Sequence, residues 1–578
     1  MKRWNFFPQE AETSYILSKE LNVSPILAQI LINRKITDSQ NAMEFLSPTL
    51  MNLKDPFDIP NIKKGVERVV LAKTRGEKVV VYGDYDVDGV TGTAILIETL
   101  KHIGITPSYY IPHRYEEGYS LNINAIKKLK DEKANLIITV DCGISSITEV
   151  KEANAIGIEI IITDHHNVPQ QIPNAYAVIN PKMIEKNHPS RDLSGAGVAF
   201  KFAWALLRIM GETKSDFLTQ LLDLAALGTI ADVVPLTNEN RIIAKKGLSI
   251  LRERKRIGTK ILADVSGLKP EISIRDVNFG LAPRLNAAGR LKHASLAVNL
   301  LISKTIAEAE TLAKELNKAN LKRQGIGDLM NNEILQKIKN NNLESEKIIV
   351  VSGESWHPGV IGITASKIVD KYYRPVILIS VNQGTGRGSA RSIDNFNIFK
   401  LLESCKELFV DFGGHEAAAG FVILPENIPI LKDKIYKEVF NLKIEYDPKI
   451  NIETTILPEQ ITLSLIEELK LLGPHGQANP IPVFSSHNLK IREGKVVGSN
   501  ENHLKLKLSN GKTNLEAIGF GFGKMKETID FNLSHDFAYL LESNEWNGIE
   551  SAQLNLVDVK HSNQTSYSTV TDLARFLG

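Results

Sequence analysis

Three carboxylates occupy alternate positions in the segment Asp84-Tyr-Asp86-Val-Asp88-Gly89, directly after the apolar run 78–83. On a turn that leaves a strand, side chains with this spacing can converge on a small volume, where they would repel one another strongly without cations. The same spacing occurs in calcium loops, but the loop position that requires a bidentate glutamate is Ile95 here, and a strand replaces the preceding helix. We therefore predict a cation site that serves chemistry rather than calcium storage.

Two later apolar runs also end in residues that can bind a metal. Asp141 follows the run 135–140, and the triplet Asp164-His165-His166 follows the run 159–163. An isolated aspartate in such a place is commonly a helix N-cap, and Asp232, shortly before a proline, has the ordinary interpretation of a turn acid. Because neighbouring strands also end in acids, we favour metal binding for these residues instead. Histidine is also a common metal ligand.

A parallel sheet is needed to bring these polar positions together. The three runs are continuously apolar and rich in β-branched residues, and a helix is predicted at 147–155 between the second and the third. Such strands indicate a parallel sheet buried on both faces, and the ligand crevice of such a sheet lies at the carboxyl ends of its strands. We therefore expect Asp84, Asp141 and Asp164 to lie in one crevice.

Carboxylates dominate this set of candidate ligands, imidazole is mixed in, and thiolate is absent. That combination favours Mn²⁺ over Zn²⁺, and over Mg²⁺, which seldom binds imidazole, although Mg²⁺ remains an alternative. A bridging acid, for which Asp141 is the candidate, could hold two ions about 3.5–4 Å apart, as in two-metal phosphoryl-transfer sites. Such a pair can generate hydroxide at neutral pH and stabilise the attacking and leaving oxygens, which predicts a phosphoesterase.

The composition is that of an ordinary globular protein. Of 578 residues, 43% are hydrophobic and 24% are charged, and a chain of this length is expected to form three or four domains. We see no secretory signal and no apolar run that could cross a bilayer. The two cysteines, Cys142 and Cys405, offer neither a disulfide framework nor a thiolate metal site, so a cytoplasmic location is expected. The net charge of +2 means that nucleic-acid binding must depend on local patches.

The predicted fold class is α/β, with a parallel-sheet domain joined by a long helix to a second α/β domain and followed by an OB-like β-barrel. Helices are expected over 197–262, and the connecting helix over 306–340. A period-two run from His503 that enters an Asn510-Gly511 turn indicates the barrel. The predicted segments are a helical N-terminus at 1–55, a catalytic domain at 56–240, a helical region with the connecting helix at 241–342, the second α/β domain at 343–440, the barrel at 441–560 and a tail at 561–578.

Two glycine-rich segments that carry arginine, 384–391 and 286–290, suit phosphate binding, because flexible backbone amides and a planar guanidinium both fit phosphate oxygens. The first has no Gly-Lys-Ser/Thr, which excludes a nucleotide P-loop. Contacts to phosphates, together with stacking of bases on aromatic rings, predict binding that tolerates any sequence and weakens with salt. The aromatic candidates in the barrel, which could also fill its core, are Phe484, Phe520, Phe522 and Trp546.

Four motifs around the acids resemble those of the DHH phosphoesterase superfamily, in its branch of bacterial single-strand-specific exonucleases. They are Asp84-Tyr-Asp-Val-Asp-Gly, Val-Asp141-Cys-Gly, Thr-Asp164-His-His and Ala-Asp232-Val-Val-Pro. Further segments resemble family motifs in the family's domain order, over most of the chain; these are 111–119, 283–290, 356–362, 388–392 and 413–420.

The resemblance implies 5′→3′ degradation of single-stranded DNA to mononucleotides with two Mn²⁺ ions, in recombination and repair, by a chain of DHH, DHHA1 and OB domains. The mechanistic hypothesis that goes with it is that Asp141 bridges the ions, that Asp164 orients the neighbouring histidines, and that His166 contacts the scissile phosphate or assists proton transfer. A helicase and a single-strand-binding protein are expected partners. The implied metal ligands are Asp84, Asp86, Asp88, Asp141, His165 and Asp232. The implied phosphate-binding residues are Arg114, Arg290, Ser389 and Arg391, with His415 as a neighbour of the site.

Two other functions remain open on the sequence alone. The chain could instead be a member of the same superfamily that cleaves cyclic dinucleotides, very short oligonucleotides or polyphosphate. Such substrates, however, need no strand-binding barrel. A non-catalytic replication scaffold would have lost the acids, all of which are present here. The direction of digestion rests wholly on the resemblance.

Overall fold

The computed structural model describes residues 2–213 and 215–562, without the side chain of Trp546. The tail predicted for 561–578 therefore lies outside the described residues from position 563 onward, and so does the proposed stacking role of the Trp546 ring. Among the helices that the structure does describe, none combines the length and the hydropathy that a membrane span requires.

The N-terminal segment packs against the far end of the chain. The prediction of helices alone was incomplete, because strand β1 (Arg3–Phe6) pairs in parallel with residues Lys449–Ile452. So short a strand has no periodicity that a sequence could reveal, and its partner is distant. The helices that follow are α1 (Ala11–Leu21), α2 (Pro25–Asn33) and α3 (Ser39–Leu46).

A five-stranded parallel sheet forms the first α/β domain, as predicted, with strand order β3-β2-β4-β5-β6. Alternate residues of its strands enter separate cores on the two faces: Val79 and Val81 enter one, Val80 and Tyr82 the other. The elements are α4 (Ile62–Arg75), β2 (Val79–Gly83), α5 (Val87–His102), β3 (Ser108–Tyr110), α6 (Ile123–Asp131), β4 (Leu136–Val140), α7 (Ile147–Ala155), β5 (Glu159–Thr163), β6 (Ala177–Ile179) and α8 (Gly195–Ile209).

The acidic run after β2 is part of a helix start as well as a loop. The helix that follows this run begins at Val87, because Asp86 caps it with a carboxylate that accepts a hydrogen bond from the Gly89 N–H at 3.1 Å. Asp88 therefore lies in the first helical turn, on the rigid part of the element rather than on a flexible loop.

Helices fill the region between the two α/β domains, as the sequence indicated, and α16 has the predicted bounds of the connecting helix. A single π-helical turn, Val277–Leu281, joins α13 to α14. The elements are α9 (Asp216–Gln220), α10 (Leu222–Ala231), α11 (Asn238–Arg252), α12 (Ile257–Val265), α13 (Ile274–Asp276), α14 (Ala282–Leu291), α15 (Ser295–Ile302) and α16 (Ile306–Asn340).

The second α/β domain is a mixed sheet of order β10-β11-β9-β8-β7, in which only β7 and β8 run parallel. One face packs on α18 and α19, and α16 and α17 pack on the other face. The elements are β7 (Ile349–Glu354), α17 (Pro358–Tyr372), β8 (Val376–Asn382), β9 (Thr385–Arg391), α18 (Ile398–Glu403), β10 (Phe409–His415), β11 (Ala418–Ile423) and α19 (Asn427–Phe440).

The last domain is the predicted β-barrel, which closes where β14 pairs with both β15 and β17. Its core also takes up apolar side chains of the N-terminal helices, among them Leu27 and Leu31. The hairpin at Asn510-Gly511 has a four-residue loop, since Ser509 pairs with Asn514. The elements are β12 (Lys449–Ile452), β13 (Thr454–Thr455), α20 (Leu463–Leu469), β14 (Phe484–Val497), β15 (His503–Ser509), β16 (Asn514–Gly519), β17 (Ser534–Trp546) and β18 (Ile549–His561).

Candidate metal centre and phosphate cavity

The six residues predicted as metal ligands lie together, with His166 beside them, at the carboxyl edge of the parallel sheet. They form three overlapping groups, and within each group one ligand atom per residue lies within 4.8 Å of the others. The shared members tie the groups into one cluster. The groups are Asp84, Asp86 and Asp141; Asp88, His165 and Asp232; and Asp141, His165 and His166.

Asp88 is held in this cluster by the N-terminus of α8. Its two carboxylate oxygens accept hydrogen bonds from the backbone N–H groups of Gly195, at 2.5 Å, and Ala196, at 2.9 Å. A carboxylate at a helix N-terminus is stabilised by the unsatisfied N–H groups and by the helix dipole. The remaining lone pairs of Asp88 are directed at the cluster, where its Oδ2 lies 3.8 Å from His165 Nε2.

Asp141 is the most crowded member of the cluster. Its Oδ1 lies 3.0 Å from His165 Nε2, yet both atoms are buried and neither makes a hydrogen bond. Gly195 closes the other side: a Cβ at that position would lie 2.6 Å from the Asp141 Cβ and 2.9 Å from its Oδ1. The sequence interpretation missed Gly195; the available signal was the run Ser194-Gly-Ala-Gly197 at a helix start.

Asp164 differs from the other acids because its carboxylate is fully committed to the protein. Its Oδ2 accepts from the Ile144 N–H, and its Oδ1 accepts from the N–H groups of His165 and His166 and from the His166 ring at Nδ1, 2.8 Å away. Burial would raise the pKa of Asp164, but these hydrogen bonds and the charge of His166 hold it below its usual range. This geometry agrees with an orienting role, which stays a prediction.

Four other acids of the cluster have pKa values above the ordinary range. Burial, followed by the charges of neighbouring carboxylates, raises the pKa of Asp84 and Asp141 well above the ordinary value, that of Asp88 to about 7 and that of Asp232 to about 9. Burial and the charge of His166 lower the pKa of His165 to about 3, so its ring is a neutral donor of a lone pair.

The donor set fits divalent cations. Among the described side chains, Asp84 Oδ1, Asp141 Oδ1 and His165 Nε2 are buried without a hydrogen-bond partner, and such orphaned groups carry a cost that a bound ion would remove. Carboxylates that are buried together with one neutral imidazole are the ligands of a hard or borderline cation.

A cavity of about 620 Å³ adjoins the cluster, between the first α/β domain, α14 and the second α/β domain. Tyr85, which separates Asp84 from Asp86, lines it. The same lining includes all four residues predicted to hold phosphates, namely Arg114, Arg290, Ser389 and Arg391. His415, predicted as a neighbour of the site, is exposed at the end of β10, one residue beyond Gly414, which does line the cavity.

Three arginines of the cavity contact carbonyls, a hydroxyl or an aromatic ring, and none of the three is paired with an acid among the described residues. Arg290 donates to the Gly359 carbonyl at 2.9 Å, Arg391 to the Ala390 carbonyl at 2.7 Å and to Ser389 Oγ at 3.1 Å, and Arg114 lies over the Tyr85 ring. Burial, and after it the charge of Arg114, lowers the pKa of Arg290 to about 10. Guanidinium groups held this way remain available to phosphate.

Neither glycine-rich segment is the flexible loop that the sequence suggested. Residues 286–290 lie in helix α14, and Thr385–Arg391 is strand β9. Gly388 is required there by packing, because a Cβ would lie 2.0 Å from the Phe421 ring. The opposite face of β9 carries Ser389 and Arg391 toward the cavity, so a strand of the sheet, not a flexible loop, positions these two candidate phosphate ligands.

Three family models match the chain in the order of its domains. The model of the DHH family, N-terminal domain, matches residues 78–229; the DHHA1 domain matches 345–440; and the RecJ OB domain matches 452–558. The fold class inferred from the motifs is thereby confirmed.

Similar proteins cover nearly the whole chain. The single-stranded-DNA-specific exonuclease RecJ of Bacillus subtilis (strain 168) is 37% identical over 561 residues, which cover 96% of this chain and 70% of the relative. The crystal structure of RecJ from Thermus thermophilus in complex with Mn²⁺ matches with a TM-score of 0.84 at 29% identity, over 97% of this chain and 80% of that one. The corresponding structure in complex with Mg²⁺ matches with a TM-score of 0.77 at 29% identity, over 97% and 79%.

Proposed function

Because this chain belongs to the RecJ family of single-stranded-DNA-specific exonucleases, we propose that it hydrolyses single-stranded DNA from the 5′ end to mononucleotides, in recombination and repair. The observation that carries the proposal is the placement of a buried acid–histidine cluster beside an arginine-lined cavity. The acid–histidine cluster suits the phosphodiester that is hydrolysed, and the arginine-lined cavity suits the phosphates that flank it.

Two divalent ions fit the three overlapping groups of donors, with Asp141 as the shared ligand. We infer Mn²⁺ as the preferred ion and Mg²⁺ as an alternative, because the set mixes carboxylates with imidazole. Such ions supply a Lewis acid that activates water and stabilises the charge on the phosphate. The proposed ligands are Asp84, Asp86, Asp88, Asp141, His165 and Asp232.

The chain's own residues fix the orientation of the reacting groups. Asp164 accepts a hydrogen bond from Nδ1 of His166, so the Nε2 edge of that ring is the one proposed to contact the scissile phosphate or to move a proton. Arg114, Arg290, Ser389 and Arg391 grip the adjacent phosphates, which places the terminal phosphodiester over the cluster.

Replacing Arg391 by methionine is expected to weaken binding of single-stranded DNA by about 10- to 150-fold, the range for loss of a charged hydrogen bond. The slope of log affinity against log salt should become shallower by about one, since one phosphate contact is lost. Fluorescence anisotropy at several KCl concentrations, without added metal, measures both. Arg374→Met is the control, because Arg374 stacks on Tyr446 instead; an unchanged slope in Arg391→Met would remove this residue from the phosphate site.

Among the aromatic candidates of the barrel whose side chains the structure describes, one ring is exposed for a base to stack on. Phe484 is 1% exposed and Phe522 packs against the core, so both fill the barrel, whereas Phe520 is 57% exposed beside His503, with ring centroids 5.1 Å apart. Phe520→Ala is expected to weaken binding of a long single strand by about 5- to 150-fold, the range for loss of one stacked base.

A dinucleotide is too short to reach the barrel, so its hydrolysis should be unaffected by Phe520→Ala. Phe440→Ala, which removes a ring that is 73% exposed from the end of α19, serves as the control. If both variants bound the long strand alike, the barrel would not bind DNA through Phe520.

A time course with 5′- and 3′-labelled single strands, with and without Mn²⁺, tests the proposed function. The 5′ label should appear at once as a mononucleotide while the 3′-labelled strand shortens stepwise, and duplex should resist. Immediate release of the 3′ label would show that digestion runs in the opposite direction, from the 3′ end. Preference for a dinucleotide would favour a short-substrate phosphodiesterase, and no turnover with any metal would favour a scaffold.

A further inference from the structure

Tyr119 lies between two members of the cluster that come from different strands. Its phenolic Oη donates a hydrogen bond to the backbone carbonyl of Asp141 at 3.1 Å. The same oxygen lies 3.2 Å from Nδ1 and 3.4 Å from Nε2 of His166. The two rings meet edge to face, with centroids 5.8 Å apart, so the position of the phenol is fixed by both neighbours.

The Asp141 backbone needs such support. Its φ is +62°, in the left-handed region that residues other than glycine rarely adopt, and such a conformation persists only where the surroundings hold it. The Asp141 N–H donates to the Thr163 carbonyl of the neighbouring strand. The Tyr119 hydroxyl donates to the Asp141 carbonyl. The two hydrogen bonds, at the N–H and at the carbonyl of Asp141, together fix the backbone from which its carboxylate projects.

His166 is held in a similar way from two sides. Asp164 binds the ring at Nδ1, 2.8 Å away, and Tyr119 lies against the ring from the side of Asp141. Tyr119 is also 46% exposed, so its ring is not required to fill a core. A single hydroxyl thus links the backbone of the proposed bridging ligand to the histidine proposed to face the substrate.

We propose that Tyr119 is a positioning residue, which keeps Asp141 and His166 in register through its phenolic oxygen. The effect on turnover rests on the proposed function, whereas the effect on metal binding does not. Outer groups that orient metal ligands commonly contribute about 10- to 100-fold to metal affinity or activity.

Tyr119→Phe tests the proposal, because it removes one oxygen and retains the ring. Mn²⁺ affinity, measured by electron paramagnetic resonance on the full chain, is expected to fall by about 10-fold or more, and kcat on single-stranded DNA by about 10- to 100-fold, with KM nearly unchanged. Circular dichroism establishes that the variant is folded.

Tyr110→Phe is the matched control, since the Tyr110 hydroxyl at the end of β3 donates to Glu117 at 2.5 Å, in the segment that leads to Tyr119, and has no hydrogen bond to a member of the cluster. It should leave Mn²⁺ affinity and kcat unchanged. The proposal is overturned if folded Tyr119→Phe binds Mn²⁺ and turns over as the original chain does, or if only KM rises, which would make the hydroxyl a DNA contact. If the original chain fails to cleave single-stranded DNA, the proposed function fails, and the Mn²⁺ affinities still decide the role of Tyr119.

Discussion

Replacing Asp141 by asparagine is expected to reduce cleavage of single-stranded DNA on the order of 10³-fold or more, as for loss of a principal catalytic group. Asp141 is the acid shared by two of the three donor groups, so its loss affects both proposed ion positions. Asparagine is the suitable replacement because it tolerates the left-handed backbone found there and matches the volume of aspartate.

The same substitution should leave the metal-free fold intact. Removing one of several buried carboxylates relieves their mutual repulsion, so the melting temperature without metal should stay level or rise. The increase in melting temperature on adding Mn²⁺ should shrink, because a ligand stabilises only as far as it binds the native state. Calorimetry with and without Mn²⁺, together with single-turnover assays, measures these effects.

Asp131→Asn, at the exposed end of α6, provides the comparison and should change none of these quantities. If Asp141→Asn kept full activity, Asp141 could not be the bridging ligand. DNA binding by Asp141→Asn should persist, because the arginine-lined cavity does not depend on this carboxylate.

Gly195→Ala is the second variant with a large expected effect. The added methyl would lie 2.6 Å from the Asp141 Cβ and 2.8 Å from its carboxyl carbon, so the carboxylate or helix α8 must move. Displacement of a reacting group by about 1 Å can cost about 100-fold in rate, which is the loss expected here. Overpacking should also lower the free energy of unfolding by about 1–3 kcal/mol.

Gly197→Ala is the matched control, since it adds the same methyl one half-turn further along α8. The three atoms nearest to that methyl would belong to the side chains of Leu193 and Ser194, at 3.1 Å or more, and not to the cluster. Steady-state kinetics and urea unfolding of both variants separate the two effects. Equal losses in Gly195→Ala and Gly197→Ala would show that α8 as a whole, rather than its contact with Asp141, is sensitive.

The sequence was informative where a local pattern has a fixed spatial consequence. A continuously apolar run predicts a strand of a buried parallel sheet, and the topology of such sheets places the next polar residue in the crevice. The pattern of strands alone therefore predicts that Asp84, Asp141 and Asp164 meet at one edge. Motif resemblance then supplied the order of the domains.

What the sequence could not reveal depends on contacts between distant segments. Gly195 matters through its approach to Asp141, and Tyr119 through hydrogen bonding to the backbone of the same residue, and neither contact has a periodicity. Asp164 and Asp84 both follow strands. The Asp164 carboxylate accepts hydrogen bonds from backbone N–H groups, whereas Asp84 Oδ1 is buried without a hydrogen-bond partner. Only the three-dimensional arrangement distinguishes an orienting acid from a candidate ligand.

The pairing of β1 with β12 has a consequence for the order of events during synthesis. Helix α2 buries Leu27 and Leu31 in a core that the barrel completes, and β1 pairs with Lys449–Ile452. At about 5–20 residues per second, the ribosome delivers that partner strand about 20–90 s after β1 emerges. During this interval the two α/β domains can fold, while the apolar face of the N-terminal helices remains exposed to solvent. Until the barrel has been synthesised, the nascent chain therefore exposes an apolar N-terminal segment.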